Sequence, residues 1–382
     1  MPSAPSRFRR SQRVILATAT CLVAATGVLE AAGAAHVAVF IVAVGALAAL
    51  AALVGESIEQ IGERLGPGPT GLLQSSLGNL PELLVSIFAL RAGLNSVVQA
   101  ALVGSVLGNV LLVLGLAFLS GAGRHGTQRF DPEAPRMLVT LLILAAGSAL
   151  VPTLAARLGA ASRHAVGISD ATAVILLLVY LTSIPFWLWG GPEAADEKRV
   201  VGEPGRARPG AGRAKPEPVL ARRALANELL WPLGLAIALL AGASAASGAV
   251  SEWFVSSLVP ATKSLGISSV FTGLVIVAIA SNAVENAAGV RFAWKARPDY
   301  AISTILNSPL QITLLLMPAL VLASPLIGPV HLTLVFPPLL IAALAVALVV
   351  VCIVVYDGEY SWLEGVALIA LYAVIASAFW WG

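Results

Sequence analysis

GNLPELLVSIFAL, residues Gly78 to Leu90, is the stretch on which the fold turns. It is apolar enough for a membrane interior, yet it carries a carboxylate, Glu82, with a proline and an asparagine just before it. An ionised carboxylate at mid-bilayer costs roughly 2.5–3.5 kcal/mol even on the gentler insertion scale, so one placed there is functional by default. A loop between two helices would account for one such segment. A second segment, SNAVENAAGVRFAWK from Ser281 to Lys295, weakens that explanation. In each segment an Asn stands three residues before a Glu, and a Ser follows the Glu by 23 positions. Shifted by 203 residues, the halves meet without a gap. Gly78-Asn79-Leu80-Pro81-Glu82 falls on Ser281-Asn282-Ala283-Val284-Glu285, and Gly104-Ser105 falls on Asn307-Ser308.

The rest of the chain supplies the membrane. Of its 382 residues 58% are hydrophobic and only 11% charged, against about 25% charged in a soluble globular chain. A bilayer core of about 30 Å takes roughly 20 apolar residues of helix. Eleven such spans are predicted, at about 14–33, 35–54, 70–92, 96–120, 135–155, 167–190, 226–247, 267–293, 299–323, 329–355 and 361–381. Trp187, Trp189, Trp231, Trp362, Trp380 and Trp381 fall at span ends, where an amphipathic ring suits the headgroup region. Cys21 and Cys352 lie in apolar runs and are expected as small buried hydrophobes. The four histidines, His36, His125, His164 and His331, fall near span ends or in loops, so no buried histidine relay is indicated. Residues 191–223, rich in Pro, Gly and charge, cannot bury enough surface to fold alone and read as a mobile linker.

Lys and Arg set the orientation. With the N-terminus in the cytoplasm, 19 of the 23 basic residues fall on the cytoplasmic side; Arg91, Arg157, Arg163 and Lys263 fall on the other. Span 3 then starts inside and span 8 outside, so the two Asn-x-x-Glu segments are inverted in the membrane. Such repeats are a common plan of secondary transporters, with the substrate site near the midplane. The expected fold is an all-α integral membrane protein of eleven transmembrane helices. It comprises an extra N-terminal helix (1–34), two inverted five-helix repeats (35–190 and 224–382) and a cytoplasmic linker (191–223) between them. The expected location is the plasma (inner) membrane, N-terminus cytoplasmic. The basic start, apolar run and LEAAGAA of span 1 also resemble a cleavable signal peptide.

Two facing carboxylates would repel each other. A proton on each, or a cation between them, removes that cost. Asn79 and Glu82 share a helix face, as do Asn282 and Glu285, and Ser308 and Gln311. These groups offer carboxylate, amide and hydroxyl oxygens and no sulfur or imidazole, a set that suits Ca²⁺ with its about 6–8 oxygen ligands. Gly78 and Pro81 can free backbone carbonyls where a helix breaks. With Ca²⁺ bound the two carboxylates bring the local charge to zero, and after it leaves two protons do the same. The empty, doubly ionised site is the costly state, so the scheme is exchange rather than leak. Bland readings stand beside this one. A lone Glu can make a structural interhelical hydrogen bond, and Ser105 and Ser308 can serve close packing. Gly104, Gly108 and Gly115 are expected to serve packing rather than ligand binding. Glu56, Glu59 and Glu63 in ESIEQIGER make an acidic stripe, either a solvated face or a funnel that concentrates cations.

GNLPELLVSIFALRAG resembles the first signature of calcium/proton exchangers, a branch of the cation/calcium exchanger superfamily. SNAVENAAGVRFAWKARPDYAISTILNSPLQITLLLMPALVL resembles the second, and WLEGVALIALYAVIASAF the family's last helix. The resemblance runs from about residue 50 onward and implies eleven spans and no cofactor beyond the transported Ca²⁺ and H⁺. It makes Glu82 and Glu285 the groups that bind cation or protons, with Asn79, Asn282, Ser105, Ser308 and Gln311 completing the site. Ser281 stands where the family usually has Gly, and Asn286 where Glu is usually followed by His. The linker is also less acidic than is common, with 8 basic and 5 acidic residues. The partners implied are the bilayer, Ca²⁺ and protons, with no nucleic acid. Na⁺/Ca²⁺ exchange and monovalent cation/H⁺ exchange on the same fold remain open. Sodium-coupled relatives carry further acidic or amide ligands in the helix after each Glu, and here those positions are read as Val106 and Pro309, which favours protons. An enzyme is disfavoured, since there is no HExxH and no His at membrane depth for Ser105. A channel is disfavoured because paired carboxylates would hold a divalent ion too tightly for conduction.

Overall fold

The computed structural model describes residues 8–62, 64, 77–157, 163–190 and 231–381, without the side chains of residues 185–190, Val284 and Glu285. The linker 191–223, Glu63, and the starts of spans 3 (70–76) and 7 (226–230) fall outside these residues. The first half holds α1 (Arg10–Ala31), α2 (His36–Gly62), α3 (Leu80–Arg91), α4 (Asn95–His125), α5 (Glu133–Arg157) and α6 (Ala165–Gly190). The second holds α7 (Leu233–Leu265), α8 (Ser269–Ser281), α9 (Ala283–Trp294), α10 (Pro298–Ile327), α11 (Pro338–Tyr356) and α12 (Trp362–Ala378). Among the described residues eight helices are long and apolar enough to cross a membrane, and α8 with α9, bent by 60°, makes a ninth. Leu154, Ile175, Leu178, Leu181, Ile353 and Val374 are each more than half exposed on these helices, surface that lipid would cover without cost.

Helix α4 is the most enclosed, with 83% of its apolar stretch buried, and α10 follows at 61%; α1 and α6 reach only 11% and 17%. Around this centre α7 packs along α2, α1 covers α2, α12 covers the second half of α4, and α5 and α6 pack on α10. The element bounds keep the 203-residue offset. Leu80–Arg91 answers Ala283–Trp294, α4 and α10 start at Asn95 and Pro298, and α2 and α7 end at Gly62 and Leu265. Each central helix carries a π-helical turn, Gly108–Val113 in α4 and Ile312–Leu316 in α10, and α8 carries a third at Thr272–Val277. Such turns recur at functional sites because the extra residue re-aims the following side chains.

Segments that the charge count places on one side meet each other. Strand β1 (Gln128–Arg129) pairs antiparallel with β2 (Glu359–Tyr360), Arg129 lies 3.2 Å from Glu359, the Asp131 N–H donates to Asp299 at 2.7 Å, and Arg124 stacks over Trp294. At the opposite end, Asn95 donates to the carbonyls of Val330 and His331, and Ser268 donates to the Phe379 carbonyl.

Four expectations are corrected. Helix α7 runs on to Leu265 rather than stopping near 247, because residues 248–265 stay apolar enough to line α2 and Gly266 then ends the helix at φ +66°. Residues 329–337, expected as the start of a span, are an extended strap, and α11 begins only at the Pro337-Pro338 pair, where proline suits a first helical turn. Trp231 is buried rather than interfacial, donating to Gln60 (N, 3.0 Å) and Gln12 (Nε1, 3.1 Å). Cys21 and Cys352 are exposed on outward helix faces, since an apolar run can face lipid as well as a core.

Candidate functional site

Asn79 and Asn282 occupy the same place in the two halves, the residue before the first turn of α3 and of α9. Their backbones agree, at φ −87°, ψ 14° and φ −100°, ψ 13°. An asparagine there normally caps its own helix. Neither does so. Asn79 Nδ2 donates to Gln311 Oε1 on α10 at 3.3 Å, and Asn282 Nδ2 donates to Ser105 Oγ on α4 at 3.0 Å. Each amide therefore reaches from one half of the chain to the other. Asn282 also donates to the Ala278 carbonyl at 3.0 Å and to Ser281 Oγ at 3.3 Å, which places Ser281 beneath it.

Glu82 sits in the first turn of α3 and Glu285 is the third residue of α9. At a helix start the unsatisfied N–H groups and the macrodipole favour negative charge. Glu82 is only 1% exposed, and Ser105 Oγ donates to its Oε1. The Glu285 side chain lies outside the described residues. Pro81 lacks an N–H, so it gives nothing to the Leu77 carbonyl one turn earlier. Gly78 lies in the turn before α3.

Ser308 and Gln311 are buried on α10, and Ser308 Oγ has no hydrogen-bond partner among the described residues. Gly104 lies against the α8 backbone with no space for a side chain, as expected for packing. Gly115 likewise meets Gly365 of α12, whereas a methyl on Gly108 would meet nothing within 4 Å. Of the acidic stripe, Glu56 is tied into a separate network, accepting from Gln12 Nε2 at 2.6 Å and Gln60 Nε2 at 3.2 Å. Glu59 is exposed on the same helix, and Glu63 lies outside the described residues.

The structure adds one buried amide that the sequence argument passed over. Asn109 is 1% exposed, one turn beyond Ser105 on the same face of α4; its Nδ2 donates to the Ser105 carbonyl at 2.9 Å, and its Oδ1 has no hydrogen-bond partner among the described residues. Asn109 shares a helix face with Ser105, because residues four apart lie on one side of a helix. Its counterpart at the 203-residue offset is Ile312, which is why the repeat did not reveal it. Among the described residues no three His, Cys, Asp or Glu side chains gather to hold a metal. What gathers instead is one carboxylate with hydroxyl and amide oxygens from α3, α4, α8 and α10, all buried. Hard cations accept such ligands.

The sodium/calcium exchanger protein family matches residues 35–189 and 235–381. The chain is similar to a Ca²⁺/H⁺ antiporter of Synechocystis sp., 36% identical over 344 residues that cover 89% of this chain and 90% of the relative. It is also similar to the Ca²⁺/H⁺ antiporter ChaA of Bacillus subtilis, 32% identical over 332 residues that cover 87% and 88%. Among solved structures it resembles native YfkE, with a TM-score of 0.77 at 27% identity, covering 96% of this chain and 99% of that one.

Proposed function

The chain belongs to the sodium/calcium exchanger protein family, and from that premise we propose that it is a secondary antiporter that exports Ca²⁺ from the cytoplasm in exchange for H⁺. Two relatives named as Ca²⁺/H⁺ antiporters, matched over most of both chains, support the ion pair. The observation that carries the reading at residue level is the crossing of hydrogen bonds between the halves, Asn79 to Gln311 and Asn282 to Ser105, with the Glu82 carboxylate held on Ser105.

In this reading Glu82 and Glu285 bind cation or protons alternately. Asn79, Asn282, Ser105, Ser308 and Gln311 complete the oxygen shell, Asn109 extends it, and Gly78, Pro81, Gly104 and Ser281 shape the helix breaks and crossings. With Ca²⁺ present the two carboxylates balance its charge; without it each takes a proton. Ser105, donating to Glu82, holds that carboxylate whichever occupant leaves. The site alternates access to the two sides without crossing empty, because two bare carboxylates in a low-dielectric interior are disfavoured.

The architecture proposed with it has eleven spans. The extra helix lies in 1–34, the inverted repeats in 35–190 and 224–382, and the cytoplasmic linker in 191–223. The protein lies in the plasma membrane with its N-terminus cytoplasmic. The shared 203-residue offset of the element bounds supports the repeat. The meeting of the 121–133, 294–299 and 356–361 segments supports their lying on one side of the membrane, and the charge count is what makes that side cytoplasmic.

Asn109 removes one argument against sodium, since an amide does stand on the helix after Glu82. Transport decides the coupling ion. In proteoliposomes, calcium uptake is expected with an imposed pH gradient and no sodium, and no added uptake from a sodium gradient at equal pH. Uptake driven only by the sodium gradient would leave the architecture standing and replace the coupling ion.

A further inference from the structure

We propose that Gly104 and Gly273 are positioning residues for the exchange site, because their backbone contact sets the spacing at which Asn282 reaches Ser105. This rests on the assignment of Ser105 and Asn282 to the site. Helix α8 is held to α4 at two places. At one end, a methyl on Gly104 would fall on the Leu274 carbonyl and lie 2.5 Å from the Leu274 Cα. A methyl on Gly273 would lie 2.6 Å from the Val97 carbonyl oxygen and 3.1 Å from Ala100 Cβ. Each glycine thus fills its space with the other helix's backbone, a packing open only to residues without a Cβ. At the other end, Asn282 Nδ2 meets Ser105 Oγ at 3.0 Å, and Ser105, next in sequence to Gly104, holds Glu82.

The tolerance is small. A donor–acceptor pair at 3.0 Å ceases to be a hydrogen bond beyond about 3.5 Å, so about half an ångström of separation is enough. A methyl at the crossing demands more than that, because the atoms it meets are backbone and cannot swing aside. The same type of contact occurs away from the site, where a methyl on Gly365 of α12 would lie 2.7 Å from the Gly115 carbonyl of α4. That second crossing separates positioning from packing.

The test is a double-mutant cycle on calcium transport in proteoliposomes, with KM and maximal rate read separately and folded yield followed by gel filtration. Gly273→Ala is expected to raise the calcium KM by about 3- to 10-fold, the range for one buried hydrogen bond, and Ser105→Ala, which removes both the bond from Asn282 and the bond to Glu82, by at least as much. Combined, they are expected to raise it no further than Ser105→Ala alone, because the glycine acts through the bond already lost. Gly365→Ala is expected to lower folded yield without moving KM. Should Gly273→Ala fail to fold, Ala100→Val loads the same crossing from α4 and the cycle is read with it. Full multiplication of the two effects would overturn the proposal while leaving Ser105 in the site. No effect of Ser105→Ala on KM would overturn the site assignment, and the proposal with it.

Discussion

Asn79 and Asn282 each leave a helix start uncapped in order to hydrogen-bond across the molecule. Capping by asparagine is worth about 1 kcal/mol, so a pair of symmetric exceptions is what the proposed site would require, local rules being broken most often where a site demands it. Asn282→Ala is therefore expected to raise the calcium KM by about 3- to 10-fold through the lost bond to Ser105, with only a modest fall in thermal midpoint from its local bonds to the Ala278 carbonyl and Ser281 Oγ. A large fall in thermal midpoint with unchanged KM would assign Asn282 to structure instead. Most of the candidate site was legible in the sequence because its members come in pairs: Asn79 with Asn282, Glu82 with Glu285, Ser105 with Ser308. Asn109 was not, because its mate is Ile312 and a repeat shows only what it repeats. Trp231 misled because a tryptophan at the end of an apolar run looks interfacial, whereas here Gln12 and Gln60 satisfy its indole and backbone N–H groups inside the protein.

Among elements, long apolar helices were legible and the short connections between them were not. Two-residue strands have no period to read, yet β1 and β2 join the end of α4 to the start of α12. Tyr360 of β2 stacks on Phe118 of α4, with ring centroids 4.0 Å apart and planes 5° from parallel. Its hydroxyl is buried with no hydrogen-bond partner among the described residues. Tyr360→Phe should thus be neutral or slightly stabilising at pH 7, and Tyr360→Ala should cost about 3–5 kcal/mol of stability as a large ring is removed from a packed site. Burial, and then the charge of Asp299, push the Tyr360 phenol up from 10.0 to about 12. The raised value favours the folded state below pH 10, and that contribution is lost as pH rises from 10 toward 12. Thermal midpoints taken at pH 9 and 11 should therefore fall less in Tyr360→Phe than in the parent protein. The strap at 329–337 escaped notice for a different reason. Its apolar residues Leu332, Leu334 and Phe336 are buried as a helix would bury them. Its backbone, however, is satisfied by side chains: Gln99 donates to the Thr333 carbonyl, Thr153 to Leu334, and the Leu334 N–H donates to Ser169.

At the scale of the whole molecule, composition, the 203-residue repeat and the charge bias carried the argument from sequence to a membrane transporter. Hydropathy decides that helices face lipid, and repetition decides which polar groups share the centre. Neither decides how far a helix runs before it bends. The chain bends by 60° between α8 and α9, and Asn282 at the bend turns its amide to Ser105 rather than to its own helix. In the proposed mechanism one pair of carboxylates holds calcium or protons, never both and never neither. It is tested most directly by counting the protons released to weakly buffered solution as calcium is added to the purified protein. Release is expected in the parent protein, less in Glu82→Gln and in Glu285→Gln, and none in the double variant. Calcium binding without proton release, or release undiminished in the double variant, would contradict it.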